Sequence, residues 1–295
     1  MFGYLNTHSH YSLLRGIAKV PDLLKKAEEL GCDAIALTDT NNMYGAIEFY
    51  KKAEKTKIHP ILGVTLYVKH AEETQIYPIV LLAENKEGYQ NLLALTSLAQ
   101  FAEGKAPHIT PDQMHGTTDG VIGILPALYN PVQQAILQGD EESALRTLTE
   151  YKTIFGNNTY IGITPQDPTP KDSPPSKPVH AMTIPLAKQA GVGVVPLPLI
   201  YLLDENDVEG RQVLLRIQRV TLSLQEEDIF EDTLLMPPRQ TIEAWTKEIH
   251  PEALENLNTI IQQTQWKLEL GHWVFPIPPV AEGTCLLYTS PSPRD

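Results

Sequence analysis

The sequence predicts an α/β protein with mostly parallel strands and helices packed outside them. Seven short apolar runs alternate with amphipathic helical patterns, and strict alternation of that kind builds a parallel sheet covered by helices. The runs are bounded by Gly, Pro or Asn, which favours strands over buried helical segments. At 295 residues the chain suits two domains, or one α/β barrel with an appendage. It buries enough surface to fold without a disulfide framework or structural metal. Alternation alone leaves a doubly wound sheet and a closed barrel equally open.

The expected strands are Phe2–Thr7, Ala34–Thr38, Ile61–Val68, Pro78–Ala83, Val121–Leu125, Thr159–Ile163 and Gly193–Leu197. The first helix is read from VPDLLKKAEELG. Pro21 suits its first turn, where a missing N–H removes no hydrogen bond. Leu23, Leu24, Ala27 and Leu30 share one face, and Gly31 suits the left-handed stop. Further helices are expected at Tyr44–Lys55, Lys86–Glu103, Pro131–Leu137, Glu141–Ile154, Val179–Ala190, Asn206–Gln218 and Pro251–Gln265. Two stretches read as loops: Pro165–Pro178, with six prolines, and the Pro/Ser-rich run from Pro276. Residues 285–295, CLLYTSPSPRD, read as a non-native tail, and Cys285 goes with them.

Composition excludes several functions. There are 36 acidic and 23 basic residues, a net charge of −13. The first hundred residues are nearly neutral, with ten Lys/Arg against eleven Asp/Glu, so the remainder carries −12. Phosphate backbones are gripped by clustered Lys and Arg, so weak or no direct nucleic-acid binding is expected. No apolar run reaches the ~18 residues of a membrane span. No signal peptide is visible in MFGYLNTHSH, and two cysteines, Cys32 and Cys285, fit a cytoplasmic location.

The first strand ends in THSHYSLLRG. His8 and His10 are two apart, so on a strand both point to one face, a spacing that suits two ligands on one metal. An ordinary polar strand end explains the pair equally simply. THSHYSLLRG is followed by ALTDTNNMYGA, PILGVTLYV and LLAENKEGYQNL. In order and spacing these segments resemble the polymerase-and-histidinol-phosphatase (PHP) domain found at the N-terminus of bacterial DNA polymerase III alpha subunits. The later segments VGVVPLPLIYLLDENDVEGRQVLLRIQ and PEALENLNTIIQQTQWKLELGHWVFPIPP fit the same family. The resemblance covers about residues 2–283 and is strongest over the first hundred.

The resemblance implies a distorted seven-stranded (β/α) barrel with a C-terminal helical extension. It places the barrel over residues 1–205, and over 206–284 the end of the PHP region and a linker toward a polymerase palm outside the chain. In active members about nine His, Asp, Glu or Cys ligands hold two or three metals for phosphoester hydrolysis, a proofreading 3′–5′ exonuclease in polymerases. This chain departs from that set. Asn6, Arg15, Thr40, Thr65, Pro78, Gly162 and the Leu199–Tyr201 segment stand where the family places ligands, and PALYN at Pro126–Asn130 replaces a Ser-Gly-Cys-type turn. Of the expected ligands His8 alone is kept, with His10 and Asp39 as the remaining helpers. Arg15 would place a fixed cation in the metal pocket.

The expectation is therefore a catalytically inactive barrel with no metal or cofactor of its own. Its implied role is structural, bracing the rest of the polymerase chain and docking a proofreading exonuclease subunit. Mg²⁺ belongs to the parent's palm, where DNA-directed DNA polymerase (nucleotidyltransferase) chemistry resides. A metal-dependent PHP phosphoesterase or exonuclease is the enzymatic alternative, and an error-prone polymerase paralogue, which often has Arg at the position of Arg15, is another.

The other histidines, His59, His70, His108, His115, His180, His250 and His272, show no metal spacing and read as surface or loop residues. Arg211, Arg216 and Arg219 follow Asp204, Glu205, Asp207 and Glu209 on one helix, an order that complements the helix dipole. Trp245, Trp266 and Trp273 read as packing residues.

Overall fold

A computed structural model describes residues 1–70, 75–104, 106–166, 176–222 and 234–271. His272, Trp273, Cys285, the tail and most of the proline-rich loop lie outside the described residues, as does the Arg219 side chain. The strands are β1 (Gly3–Thr7), β2 (Ala34–Leu37), β3 (His59–Lys69), β4 (Ile76–Ala83), β5 (Val121–Leu125), β6 (Thr159–Ile163) and β7 (Gly193–Pro196). The helices are α1 (Val20–Glu29), α2 (Ala46–Ala53), α3 (Lys86–Gln100), α4 (Pro111–Met114), α5 (Pro131–Leu137), α6 (Glu141–Phe155), α7 (Ser176–Ala190), α8 (Asp207–Leu222), α9 (Arg239–Ile249) and α10 (Glu252–Gln263).

The strands form one sheet in sequence order, β1 through β7. Beyond β7 the chain returns to β1, where Thr7 bridges Ile200 in parallel. His8 N–H donates to Ile200 O at 2.9 Å and Ile200 N–H donates to Asn6 O at 3.1 Å. The sheet thus curls back on itself as a distorted barrel. Strict parallel alternation does not hold throughout: β3 pairs with β4, and β4 with β5, in antiparallel register. Between Lys69 and Ile76 there is too little chain for a crossover helix, which needs about a dozen residues, so β4 must run back along β3.

Side chains alternate across the barrel wall with period two. In β4, Val80 and Leu82 join one core cluster, while Ile79, Leu81 and Ala83 join a second. The first cluster also takes Ile122 and Ile124 of β5, Tyr160 of β6 and Val195 of β7. The second takes the inward faces of α3, α5, α6 and α7. Both faces of these strands are buried, which is why they read as continuous apolar runs.

The local signals act as expected in α1. Pro21 sits in the first turn, Val20, Leu23, Leu24 and Ala27 are buried, and Gly31 takes φ +67°. α10 packs on β7: Ala253, Leu257, Ile260 and Ile261 are buried, and Asn256 Nδ2 donates to Val194 O at 2.8 Å. Its apolar face is therefore covered by the barrel. Trp266 Nε1 donates to Ala83 O at 3.1 Å, and Trp245 packs against the second cluster.

Candidate site at the barrel mouth

Where the strand ends open on one side, the barrel holds a cavity of about 640 Å³. Asn6, His8, Arg15, Thr40, Thr65, Pro78, Leu199 and Tyr201 all line it. Positions at which the resemblance expects metal ligands thus converge on one mouth. Gly162 does not reach it. A Cβ there would lie 2.7 Å from Leu197 Cβ and 2.8 Å from the backbone N of Ala127, so this position has no room for a side chain.

His8 is buried, and its ring stacks on Tyr201 with centroids 4.2 Å apart and planes 11° from parallel. Both ring nitrogens are engaged. Nε2 lies 3.1 Å from Asn6 Oδ1; Nδ1 lies 3.2 Å from Ser12 Oγ and 3.4 Å from Thr40 Oγ1. Burial, reinforced by the Arg15 and Arg211 guanidiniums, pushes its pKa down to about 3. The imidazole is neutral at ordinary pH.

His10 does not share that face. β1 ends at Thr7, and the chain turns through Ser9–Ser12, with Ser12 N–H donating to Ser9 O at 2.9 Å. Strand alternation stops with the strand, so His10 is exposed, tilted against the Tyr11 ring. The expectation that His8 and His10 point the same way is corrected. Asp39 is buried and pinned: it accepts from Ser9 N–H at 2.7 Å, Ser9 Oγ at 2.8 Å and Ser12 Oγ at 2.6 Å. Burial raises its pKa, and the Ser12 and Ser9 hydrogen bonds oppose that rise. Asp39 ties the loop after β1 to the end of β2.

Two guanidiniums stand at the mouth. Arg15 donates from Nη1 to the Tyr67 hydroxyl, with Cζ 5.4 Å from that ring's centroid. Arg211 is 2% exposed, lies 4.5 Å over the Tyr201 ring and donates from Nε to Arg15 O at 3.1 Å. The dipole reading of Arg211 missed this role. Arg211, Leu215 and Gln218 are spaced i, i+4, i+7 along α8 and all line the cavity, a helical stripe that was the available signal. His180 also departs from the surface reading. It is 2% exposed, with Nε2 3.0 Å from Thr164 O and its ring edge-on to Trp245.

Three non-glycine residues adopt positive φ: Leu14 (61°), Asn41 (57°) and Tyr129 (58°). They follow β1, β2 and β5, so each lies in a loop at the mouth, where backbone strain of roughly 1 kcal/mol or more per residue concentrates.

These groups do not fit a catalytic metal. A divalent ion wants about three ligands from His, Cys, Asp or Glu, and among the described residues no such group of three comes together. His8 has both nitrogens engaged, Asp39 faces two serines, and Arg15 and Arg211 bring positive charge to the place a cation would take.

Comparison with known proteins places this geometry. The PHP domain family model matches residues 5–166. A DNA polymerase III subunit alpha of Borreliella burgdorferi is 36% identical over 182 residues, 56% of this chain and 16% of that protein. That of Bacillus subtilis is 31% identical over 288 residues, 96% of this chain and 25% of that protein. The chain spans a quarter or less of the length of these curated relatives. Among solved structures, an amidohydrolase from Chromobacterium violaceum is similar at a TM-score of 0.47 and 13% identity, covering 68% of this chain and 88% of that one. The chain belongs to the PHP domain family.

Proposed function

We propose that this chain is the PHP domain of a DNA polymerase III alpha subunit whose metal site has degenerated, and that it serves as a scaffold without hydrolysing phosphoesters. The observation that carries this reading is the donor set at the mouth. One imidazole with both nitrogens engaged and two guanidiniums stand where a metal cluster would need carboxylates and free imidazoles. Similarity to alpha subunits over as much as 96% of the chain supports the parent assignment. The partners in this reading are the rest of the polymerase chain and a proofreading exonuclease subunit. Polymerisation and its Mg²⁺ belong to a palm elsewhere in the parent.

Elemental analysis of the purified chain after exposure to zinc or manganese, with a 3′-exonuclease assay on single-stranded DNA, tests the reading. No stoichiometric metal and no end cleavage are expected. Stoichiometric metal that disappears in His8→Ala would overturn it. Arg15 also suits an error-prone paralogue, and the downstream reading frame separates that parent from the main replicase.

A further inference from the structure

The outer side of α3 lacks the charges that a solvent-facing helix surface ordinarily carries. Leu92, Leu95 and Ala99 face the second core cluster. On the other side, no Asp, Glu, Lys or Arg occurs between Glu87 and Glu103, in a chain that is 20% charged. Tyr89, Leu93, Ser97 and Phe101 recur every four residues and so form one ridge along the helix. Leu93 is 41% exposed and Phe101 82%. Ser97 adds no polarity to the ridge, because its hydroxyl donates to Leu93 O at 2.8 Å within the same helix. Large apolar side chains gathered on one ridge mark a surface that another segment covers.

The start of the ridge is already covered by the chain's own C-terminal part. The Trp266 ring packs against Tyr89 with centroids 5.9 Å apart. Leu268 N–H donates to the Tyr50 hydroxyl at 3.0 Å, and Glu269 pairs with Lys86, the first residue of α3, at 3.2 Å. The chain thus arrives at the N-terminal end of α3 just before the segment 272–279, HWVFPIPP, which is apolar and free of Asp, Glu, Lys and Arg.

We propose that residues 272–279 dock in extended form along this ridge, covering Leu93 and Phe101 and fastening the stretch after α10 to the barrel wall. Pro276, Pro278 and Pro279 oppose a helix and favour an extended chain. At ~1.5 Å per helical residue, Leu93 and Phe101 stand about 10 and 22 Å along the axis from Lys86. At ~3.3 Å per extended residue counted from Glu269, Trp273 and Phe275 reach about 13 and 20 Å. Trp273 therefore comes level with Leu93 and Phe275 with Phe101. Being two apart, both rings point to the same side of an extended segment. This contact lies on the outside of the barrel and does not depend on the chemistry of the mouth.

Photo-crosslinking of the full chain, with p-benzoylphenylalanine replacing Phe101, tests the contact. Mass spectrometry should find an intramolecular link to residues 272–279. Limited chymotrypsin digestion reads the same contact through the cut after Trp273. Leu93→Asp and Phe101→Asp should each speed that cut at least tenfold. Leu98→Asp, on an exposed leucine off the ridge, should leave it unchanged. The crosslink introduces no charge, so it keeps the test valid if an aspartate variant unfolds. A link joining two copies would make a second chain the occupant and overturn the proposal. So would the absence of any link to 272–279, or a cut as fast in the wild type as in both ridge variants.

Discussion

His8 offers a measurement in which the barrel mouth reports on itself. An unfolded histidine titrates near 6.5, whereas burial holds His8 at about 3 in the folded chain. Between those values the unfolded chain binds a proton that the folded chain does not. Stability from this group is therefore fully present above about pH 6.5 and is lost as pH falls. On going from about pH 8 to about pH 5 the loss is ~2 kcal/mol, because log(1 + 10^1.5) is roughly 1.5 and each unit is ~1.4 kcal/mol. That figure barely depends on the folded value so long as it lies below about 4. The raised pKa of Asp39 acts with the opposite sign, since the folded chain then holds its proton to higher pH. It is common to wild type and variant and cancels in their difference. Urea unfolding of wild type and His8→Gln at the two pH values gives that difference directly. Wild type should lose ~2 kcal/mol more than the variant, even though the variant is less stable at both values for want of the Tyr201 stacking. An equal loss in both proteins, or an imidazole NMR titration of His8 centred near 6.5, would refute the picture of a buried neutral ring beside two guanidiniums.

Three further outcomes follow from the packing. Gly162→Glu should destabilise by ~3 kcal/mol or more in chemical denaturation, because its Cβ meets Leu197 and the Ala127 backbone and its charge is buried; a folded variant of wild-type stability would show that the position is open. Asp39→Asn should lose ~2–3 kcal/mol, since one amide oxygen cannot replace a carboxylate that accepts three hydrogen bonds from Ser9 and Ser12; hydrogen exchange at the Ser9 amide should rise with it. Leu257→Ala should cost about 2–5 kcal/mol in urea unfolding, as expected for a fully buried leucine in the first core cluster. A loss below about 0.5 kcal/mol would mean that α10 is not integral to the barrel.

The fold was legible where burial on both faces leaves a continuous apolar run. The expected Val121–Leu125 and Thr159–Ile163 are β5 and β6 to the residue. Strand direction was less legible, because an apolar run reads the same in either sense; the short interval between β3 and β4 carried that information instead. α9 was missed although Ile242, Trp245 and Ile249 recur at i, i+3 and i+7, the spacing of an amphipathic helix. At the site, the family resemblance singled out His8, Arg15, Thr40, Thr65 and Tyr201, which do share one mouth. His10 misled because strand alternation was extended past the strand's last residue, and Arg211 was hidden because a buried arginine and a dipole-balancing one look alike in sequence.

The core and the mouth obey different constraints. The wall is fixed by interdigitated side chains on both faces of β3 to β6, where exchanging one residue disturbs many contacts. The mouth is built from strand ends and the loops that follow them: Asn6 belongs to β1, whereas Arg15 and Thr40 lie in the loops after β1 and β2. Arg15 and Arg211 bring positive charge to that mouth.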